Sequence, residues 1–242
     1  EALLRWQHPT RGLVTPDKFI PLAEQTGLIV PIGRWVLQRA CRDALRWPSQ
    51  VSVAVNVSAV QFVRSAVGAD VLQALAASGL PARRLELEIT ETSLMKDLQA
   101  VMPALHRLNE IGVEISIDDF GTGYSSLAYL TTLPISELKI DRSFVRDLGI
   151  TPQSSAVVTA IIALARSLGI RVIAEGVETE AQRDRVAALG ATVMQGYHFA
   201  RPMPADAVPG YLSGEAVFAA RRRRERGAGQ AEWGGDFCRE AG

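Results

Sequence analysis

The stretch Val113–Ser126 reads VEISIDDFGTGYSS, an alternating apolar run that ends in two adjacent aspartates and a glycine-containing loop. The alternation predicts a buried strand over 113–118, with Asp118 and Asp119 at its carboxyl end. Two neighbouring carboxylates at a buried position repel each other and lose hydration. A positive partner is therefore expected beside them, most simply a metal ion.

Runs of the same β-rich kind alternate with amphipathic helical runs along the chain, and this repetition predicts a mostly parallel sheet with helices outside it. Residues 1–6 are interpreted as the end of one more strand. The expected fold is α/β: a modified TIM-like (β/α)8 barrel whose first strand is missing from this chain. An open doubly wound sheet is the alternative, although no glycine-rich turn follows the first strand. Strands are predicted over 51–57, 85–90, 113–118, 137–140, 171–174 and 192–195, and helices over 32–47, 67–78, 98–111, 154–168 and 180–189.

Composition limits the classes of partner. The 242 residues carry 26 basic and 26 acidic side chains, so charge alone predicts no affinity for a nucleic acid polymer or an anionic membrane. The longest apolar run, 156–165, is too short to span a bilayer. Cys41 and Cys238 show no motif spacing, which favours a reducing compartment. We expect one domain over 1–212 and a disordered tail or linker over 213–242, which includes an arginine run at 221–224.

Polar residues interrupt the apolar strands at their carboxyl ends, where a β/α barrel places its active site. Each has a structural explanation on its own: Asn56 can cap a turn, Glu88 and Glu91 can begin a helix, and Lys139 can pair with Asp141. Together they predict one site, because buried charge is costly. The set comprises Asn56, Glu88, Asp118, Asp119, Lys139, Glu175 and Gln195.

The ligand chemistry of this set is oxygen only, which suits Mg²⁺ or Mn²⁺ and not Zn²⁺. The three histidines are scattered and lack zinc spacing. More acids are present than one ion needs, so we expect two adjacent ions bridged by Asp118, an arrangement suited to phosphodiester hydrolysis. Lys139 would orient the water or neutralise developing negative charge.

These motifs, in this order, resemble the EAL domain family, bacterial phosphodiesterases of cyclic di-GMP. The resemblance extends from Glu1 to about Pro204. It is carried by Glu1-Ala2-Leu3-Leu4-Arg5-Trp6, Asn56-Val57-Ser58, Glu88-Ile89-Thr90-Glu91, the 118–126 loop, Lys139-Ile140-Asp141, Glu175-Gly176-Val177-Glu178-Thr179 and Gln195-Gly196-Tyr197.

The resemblance implies a role for each matching residue. The first divalent cation would be bound by Glu1, Asn56, Glu88 and Asp118, and the second by Asp118, Asp119 and Glu175. Lys139 would contact the attacking water, Gln195 would lie near water and substrate, and Arg5 would bind a substrate phosphate. Further residues would support the site: Glu91, Asp141 and Glu178 around it, and Gly121 and Gly123 as mobile points of the loop.

The implied reaction is hydrolysis of cyclic di-GMP to linear pGpG. Two alternatives remain. One is a non-catalytic receptor or docking module. The other is an unrelated barrel enzyme, such as an aldolase, that uses Lys139 as a Schiff-base nucleophile.

The resemblance also implies partners: a homodimer formed through the 118–130 region, and sensory or diguanylate cyclase domains in the full-length protein. The expected location is the bacterial cytoplasm, with a membrane anchor elsewhere in the full-length protein as an option. Family members have a helix and a strand before the Glu-Ala-Leu motif. A protein that starts at Glu1 is therefore expected to be less stable, and to bind metal less tightly, than a longer form.

Overall fold

The computed structural model describes residues 1–123 and 127–214. The expected disordered tail, 213–242, lies outside the described residues apart from its first two positions, and so does Cys238. No helix in the described ranges is long and apolar enough to cross a membrane.

Six parallel strands form the central sheet, and their order in the sheet is their order in the chain. The α/β architecture expected from the alternating pattern is confirmed, as a partial TIM-like barrel. Three predicted strands have the predicted bounds, and the other three differ by one or two residues at their ends. The strands are β3 (Val53–Asn56), β4 (Leu85–Thr90), β5 (Glu114–Phe120), β6 (Glu137–Ile140), β7 (Arg171–Ala174) and β8 (Val193–Met194), after the hairpin strands β1 (Trp6–His8) and β2 (Gly12–Val14).

Helices connect the strands, and several end at glycines with positive φ, including Gly79 and Gly169. They are α1 (Pro16–Thr26), α2 (Ile29–Ala44), α3 (Ala59–Arg64), α4 (Val67–Ser78), α5 (Glu91–Lys96), α6 (Leu98–Glu110), α7 (Leu127–Leu130), α8 (Arg142–Arg146), α9 (Pro152–Leu168), α10 (Glu180–Ala188) and α11 (Val208–Leu212).

The start of the chain pairs with the sheet less than predicted. Only Ala2 reaches it, through a parallel bridge to Val55 and a 2.8 Å hydrogen bond from its N–H to the carbonyl oxygen of Ala54. The following residues turn away, because β1 pairs with β2 as a local antiparallel hairpin. The prediction that residues 1–6 form the end of a strand of the sheet is therefore wrong for the residues after Ala2.

The two faces of the sheet have different chemistry. In β4, Leu85, Leu87 and Ile89 point to the helices and are essentially fully buried, whereas Glu86 and Glu88 point to the opposite face. The sheet is strongly curled. A side chain beside one edge strand, Glu1, accepts a hydrogen bond of 2.8 Å from Gln195, which follows the other edge strand. Side chains from all six strands therefore converge inside the curl.

Candidate active site

A buried lysine lies at the centre of the converging side chains. The Nζ atom of Lys139 is 2.6 Å from Oε1 of Glu88 and 2.7 Å from Oε1 of Glu175. It is also 3.4 Å from Oδ1 of Asp118 and 4.0 Å from Oε2 of Glu1. The side chain of Lys139 is only 1% exposed. Four carboxylates from separate parts of the chain thus surround one ammonium group. Burial works to lower the pKa of this group, but the carboxylates hold it above the ordinary value.

Two amides tie the first glutamate into this cluster. The side-chain N–H of Asn56 donates to Oε1 of Glu1 at 2.7 Å and to Oε2 of Glu88 at 3.1 Å. Gln195 donates to the other oxygen of Glu1. Register explains the arrangement, because Asn56 is paired with Glu88 across β3 and β4. The amides and Lys139 lower the pKa of Glu1, although burial works to raise it.

An irregularity in β5 brings both aspartates to the same side. Successive residues of a regular strand point to opposite faces. Between Ile117 and Phe120 the pairing of β5 with β6 shifts register, and Asp119 adopts a left-handed φ of 53°. Such a bulge re-aims side chains. As a result Asp118, Asp119 and Glu175 each offer an oxygen within 4.8 Å of the others, a spacing that could hold a metal ion.

The pKa values of three acids in the cluster are raised, so these acids favour binding a proton or a cation. Burial, together with the charges of Glu1 and Asp118, raises the pKa of Glu88 to about 8. Burial and the neighbouring Asp118 and Asp141 raise the pKa of Asp119 to about 6. Burial also raises the pKa of Glu175, against the attraction of Lys139. A divalent cation would relieve the same repulsion that these shifts express.

Glu91 connects the site to the loop after β5. Its buried side chain accepts a 2.7 Å hydrogen bond from the N–H of Gly121. A Cβ atom at Gly123 would lie 2.8 Å from Oε1 of the same glutamate, and a Cβ atom at Gly121 would lie 2.9 Å from Phe144. Close packing therefore favours glycine at both positions, and the φ of 98° favours it at Gly121 in addition. Residues 124–126 of the region expected to form a dimer lie outside the described residues.

Two expected residues, Arg5 and Glu178, form no hydrogen bond or ion pair with the carboxylate cluster in the described ranges, and a third, Asp141, contacts it only through Asp119. Within the described chain, the side chain of Arg5 hydrogen-bonds only to the carbonyl oxygen of Leu4. The side chain of Glu178 is exposed. Asp141 does not pair with Lys139; it caps α8 by accepting a hydrogen bond from the N–H of Ser143 and lies against Asp119.

A second charged group, absent from the sequence prediction, lies at the opposite end of the strands. Arg171 contacts Glu114 and lies 3.2 Å from Oε2 of Glu137, which is 4% exposed. Burial and the adjacent Glu86 raise the pKa of Glu137 to about 8. Alternation along β4 and β6 could have found it, since Glu86 and Glu137 each stand two residues before a site residue.

Comparison with known proteins identifies the family of this site. The family model described as the EAL domain matches residues 1–202, which is most of the chain. The chain belongs to the EAL domain family. This confirms the resemblance carried by the strand-end motifs and their order.

Relatives of this EAL domain include two proteins of Pseudomonas aeruginosa. It is 50% identical over 210 residues to the bifunctional diguanylate cyclase/cyclic di-GMP phosphodiesterase MucR, and the aligned region covers 85% of this chain and 31% of MucR. It is 47% identical over 216 residues to the cyclic di-GMP phosphodiesterase NbdA, covering 88% of this chain and 28% of NbdA. The chain thus spans about a third of the length of these relatives.

A solved structure agrees with the fold of the EAL domain. The MucR phosphodiesterase in complex with cyclic di-GMP superimposes with a TM-score of 0.82 at 50% identity, over 85% of each chain. The fold is therefore shared with a protein whose structure contains this dinucleotide.

Proposed function

We propose that this EAL domain hydrolyses one phosphodiester bond of cyclic di-GMP, giving linear pGpG, with Mg²⁺ or Mn²⁺ as cofactor. The observation that carries the proposal is the cluster of strand-end carboxylates around buried Lys139. The names of MucR and NbdA and the dinucleotide complex of MucR support it.

The charges of the cluster fit divalent cations. When all five carboxylates are ionised, the ammonium group of Lys139 compensates one of them, and four negative charges of these described side chains remain. Two divalent cations would neutralise them. The donors are hard oxygens, as Mg²⁺ and Mn²⁺ prefer. We assign Glu1, Asn56, Glu88 and Asp118 to one ion and Asp118, Asp119 and Glu175 to the other.

Bound cations would supply Lewis-acid polarisation of the phosphoryl group and a more acidic water. The chain itself positions the reactants. Lys139 stays protonated between Glu88 and Glu175, so its N–H groups can orient a water and stabilise negative charge that develops on phosphate oxygens. Gln195 is fixed near this point through Glu1. Arg5 would bind a phosphate after its side chain leaves the carbonyl oxygen of Leu4.

The raised pKa of Lys139 argues against the Schiff-base alternative. A Schiff base requires a neutral amine as nucleophile. The carboxylates around Lys139 instead stabilise its protonated form. An aldolase would also leave the surplus of acids without a purpose.

The test is incubation of the protein with cyclic di-GMP and Mg²⁺ or Mn²⁺, followed by chromatography of the products. We expect pGpG to accumulate with either metal and to be absent when a chelator is present. Binding of the dinucleotide without turnover would assign the chain to the receptor class, and turnover that resists chelation would contradict the metal-dependent mechanism.

A further inference from the structure

The second charged group, at the opposite end of the strands from the carboxylate site, has an excess of acids. Its side chains come from the four neighbouring strands β4 to β7, and we call it the barrel floor: Glu86, Glu114, Glu137 and Arg171. The guanidinium group of Arg171 contacts Glu114 and Glu137. It compensates one carboxylate, so two negative charges of these described side chains remain when all three acids are ionised.

Two acids of the barrel floor contact each other. The side chains of Glu86 and Glu137 lie within hydrogen-bonding distance, and Glu137 is only 4% exposed. Two ionised carboxylates repel each other at this distance, so a proton or a cation must lie between them. The Oε1 atom of each glutamate is buried and, within the described residues, accepts a hydrogen bond from no donor group.

A buried hydroxyl on the strand between these two acids favours a cation. Because β5 lies between β4 and β6, the contact of Glu86 with Glu137 passes over β5. Ser116 of β5 faces the interior there, since it alternates with Glu114 and Asp118 along the strand. It is also paired with Glu137 in the strand register.

The hydroxyl of Ser116 has no use in the protein alone. Its side chain is 0% exposed, and in the described ranges its Oγ atom has no hydrogen-bond partner. A buried polar atom without a partner is destabilising, and it indicates an ion or a water that the protein binds there. A proton shared between Glu86 and Glu137 would leave this oxygen without a partner, whereas a hydrated cation would use all three oxygens.

We propose that the barrel floor binds a divalent cation, Mg²⁺ or Mn²⁺, through Oε1 of Glu86, Oγ of Ser116 and Oε1 of Glu137. These are the hard oxygen donors that such ions prefer, and waters complete the coordination. The charge of the ion equals the two negative charges that Arg171 leaves. This ion is additional to those of the proposed function, and the inference does not depend on that function.

The rest of the barrel floor suits this ion. Arg171 lies against Oε2 of Glu137, which leaves Oε1 to the cation. The side chains of Arg171 and Glu114 are 53% and 35% exposed, so solvent reaches the edge of the floor and an ion has an entry path.

Counting bound Mn²⁺ tests the site without any turnover. The electron paramagnetic resonance signal of free Mn²⁺, followed at mildly alkaline pH, gives the number of ions bound per chain. We expect the unaltered protein to bind one more ion than Glu137→Gln. Ser116→Ala keeps the charges and removes one ligand, so it should hold this ion about 10-fold or more weakly. Glu110→Gln is the matched control, an exposed carboxylate at the end of α6, and should bind as many ions as the unaltered protein.

Stability provides a second measurement, in a protein that lacks one ligand of the carboxylate site. A cation that binds only the folded state raises the free energy of unfolding. Mg²⁺ should therefore stabilise Glu88→Gln against urea more than it stabilises the double variant Glu88→Gln/Glu137→Gln. Equal stabilisation of the two would contradict a cation at the barrel floor.

Two results of the Mn²⁺ titration would overturn the inference. Equal ion counts in the unaltered protein and Glu137→Gln would mean that only a proton lies between Glu86 and Glu137. An unchanged affinity in Ser116→Ala would mean that the hydroxyl is not a ligand.

The two proposals fail in different ways. A protein that loses one ion in Glu137→Gln but does not hydrolyse cyclic di-GMP contradicts the proposed function alone. A metal-dependent phosphodiesterase whose ion count is the same in Glu137→Gln contradicts the barrel-floor ion alone.

Discussion

The most demanding prediction concerns Lys139→Met, which removes the ammonium group and keeps most of the side-chain volume. Its Nζ atom lies 2.6 and 2.7 Å from two carboxylate oxygens, and the side chain is 1% exposed. Removing one partner of a buried ion pair costs about 3–5 kcal/mol. We expect a loss of that size in the free energy of unfolding at about pH 8 without metal.

The loss should shrink under two conditions. At lower pH the acids take up protons, since the pKa of Glu88 is already raised to about 8 with the lysine present. Saturating Mg²⁺ should also reduce the loss, because cations replace part of the missing positive charge. Urea unfolding at about pH 8 and about pH 6, in EDTA and in Mg²⁺, measures all four values.

The control for this series is Lys96→Met, which removes an exposed lysine in the last turn of α5. It should change stability by less than about 0.5 kcal/mol in every condition. If Lys139→Met in EDTA at about pH 8 is as stable as Lys96→Met, Lys139 does not compensate the charge of the cluster and the reasoning fails.

Two further predictions follow from particular contacts. Glu137 has a folded pKa of about 8, above its unfolded value of 4.5, so between these pH values it keeps its proton in the folded state and loses it in the unfolded state. The free energy of unfolding therefore falls as pH rises through this range. Glu137→Gln should weaken this decline, measured by urea unfolding, by at most about 5 kcal/mol. An unchanged pH dependence would mean that Glu137 ionises freely. Gly121→Ala should cost about 2 kcal/mol or more, because φ is 98° and a Cβ atom would lie 2.9 Å from Phe144. Gly79→Ala, with positive φ but open space, is the control and should cost less in the same assay; equal losses would exclude the clash as the cause.

The strands of the sheet could be predicted from the local sequence pattern, because polar or charged residues follow the apolar runs where the strands end. The predicted bounds of β4, β6 and β7 agree with the structure, since each apolar run ends at a residue of different character. Helix α1 was not predicted. It contains Pro21, and a proline inside an apolar helical pattern argues against a helix. The structure nevertheless accommodates Pro21 within α1. The β1–β2 hairpin was missed because each strand has only three residues.

The sequence was sufficient to predict which residues form the site, but not the geometry in which they are arranged. Strand-end positions brought Glu88, Asp118, Lys139 and Glu175 together, as the barrel requires. The bulge that turns Asp119 toward Asp118 depends on the register of β6, which no local pattern in β5 encodes.

The central claim is that the strand-end carboxylates hold the cations that drive hydrolysis of cyclic di-GMP. The rate of pGpG formation as a function of Mn²⁺ concentration tests it most directly, in the unaltered protein, Glu88→Gln and Glu137→Gln. The two glutamates are both buried between strands, at opposite ends of the barrel. We predict saturable, metal-dependent turnover in the unaltered protein and Glu137→Gln, and a fall of at least about 100-fold in Glu88→Gln. Equal rates and metal dependence in all three proteins would contradict the account.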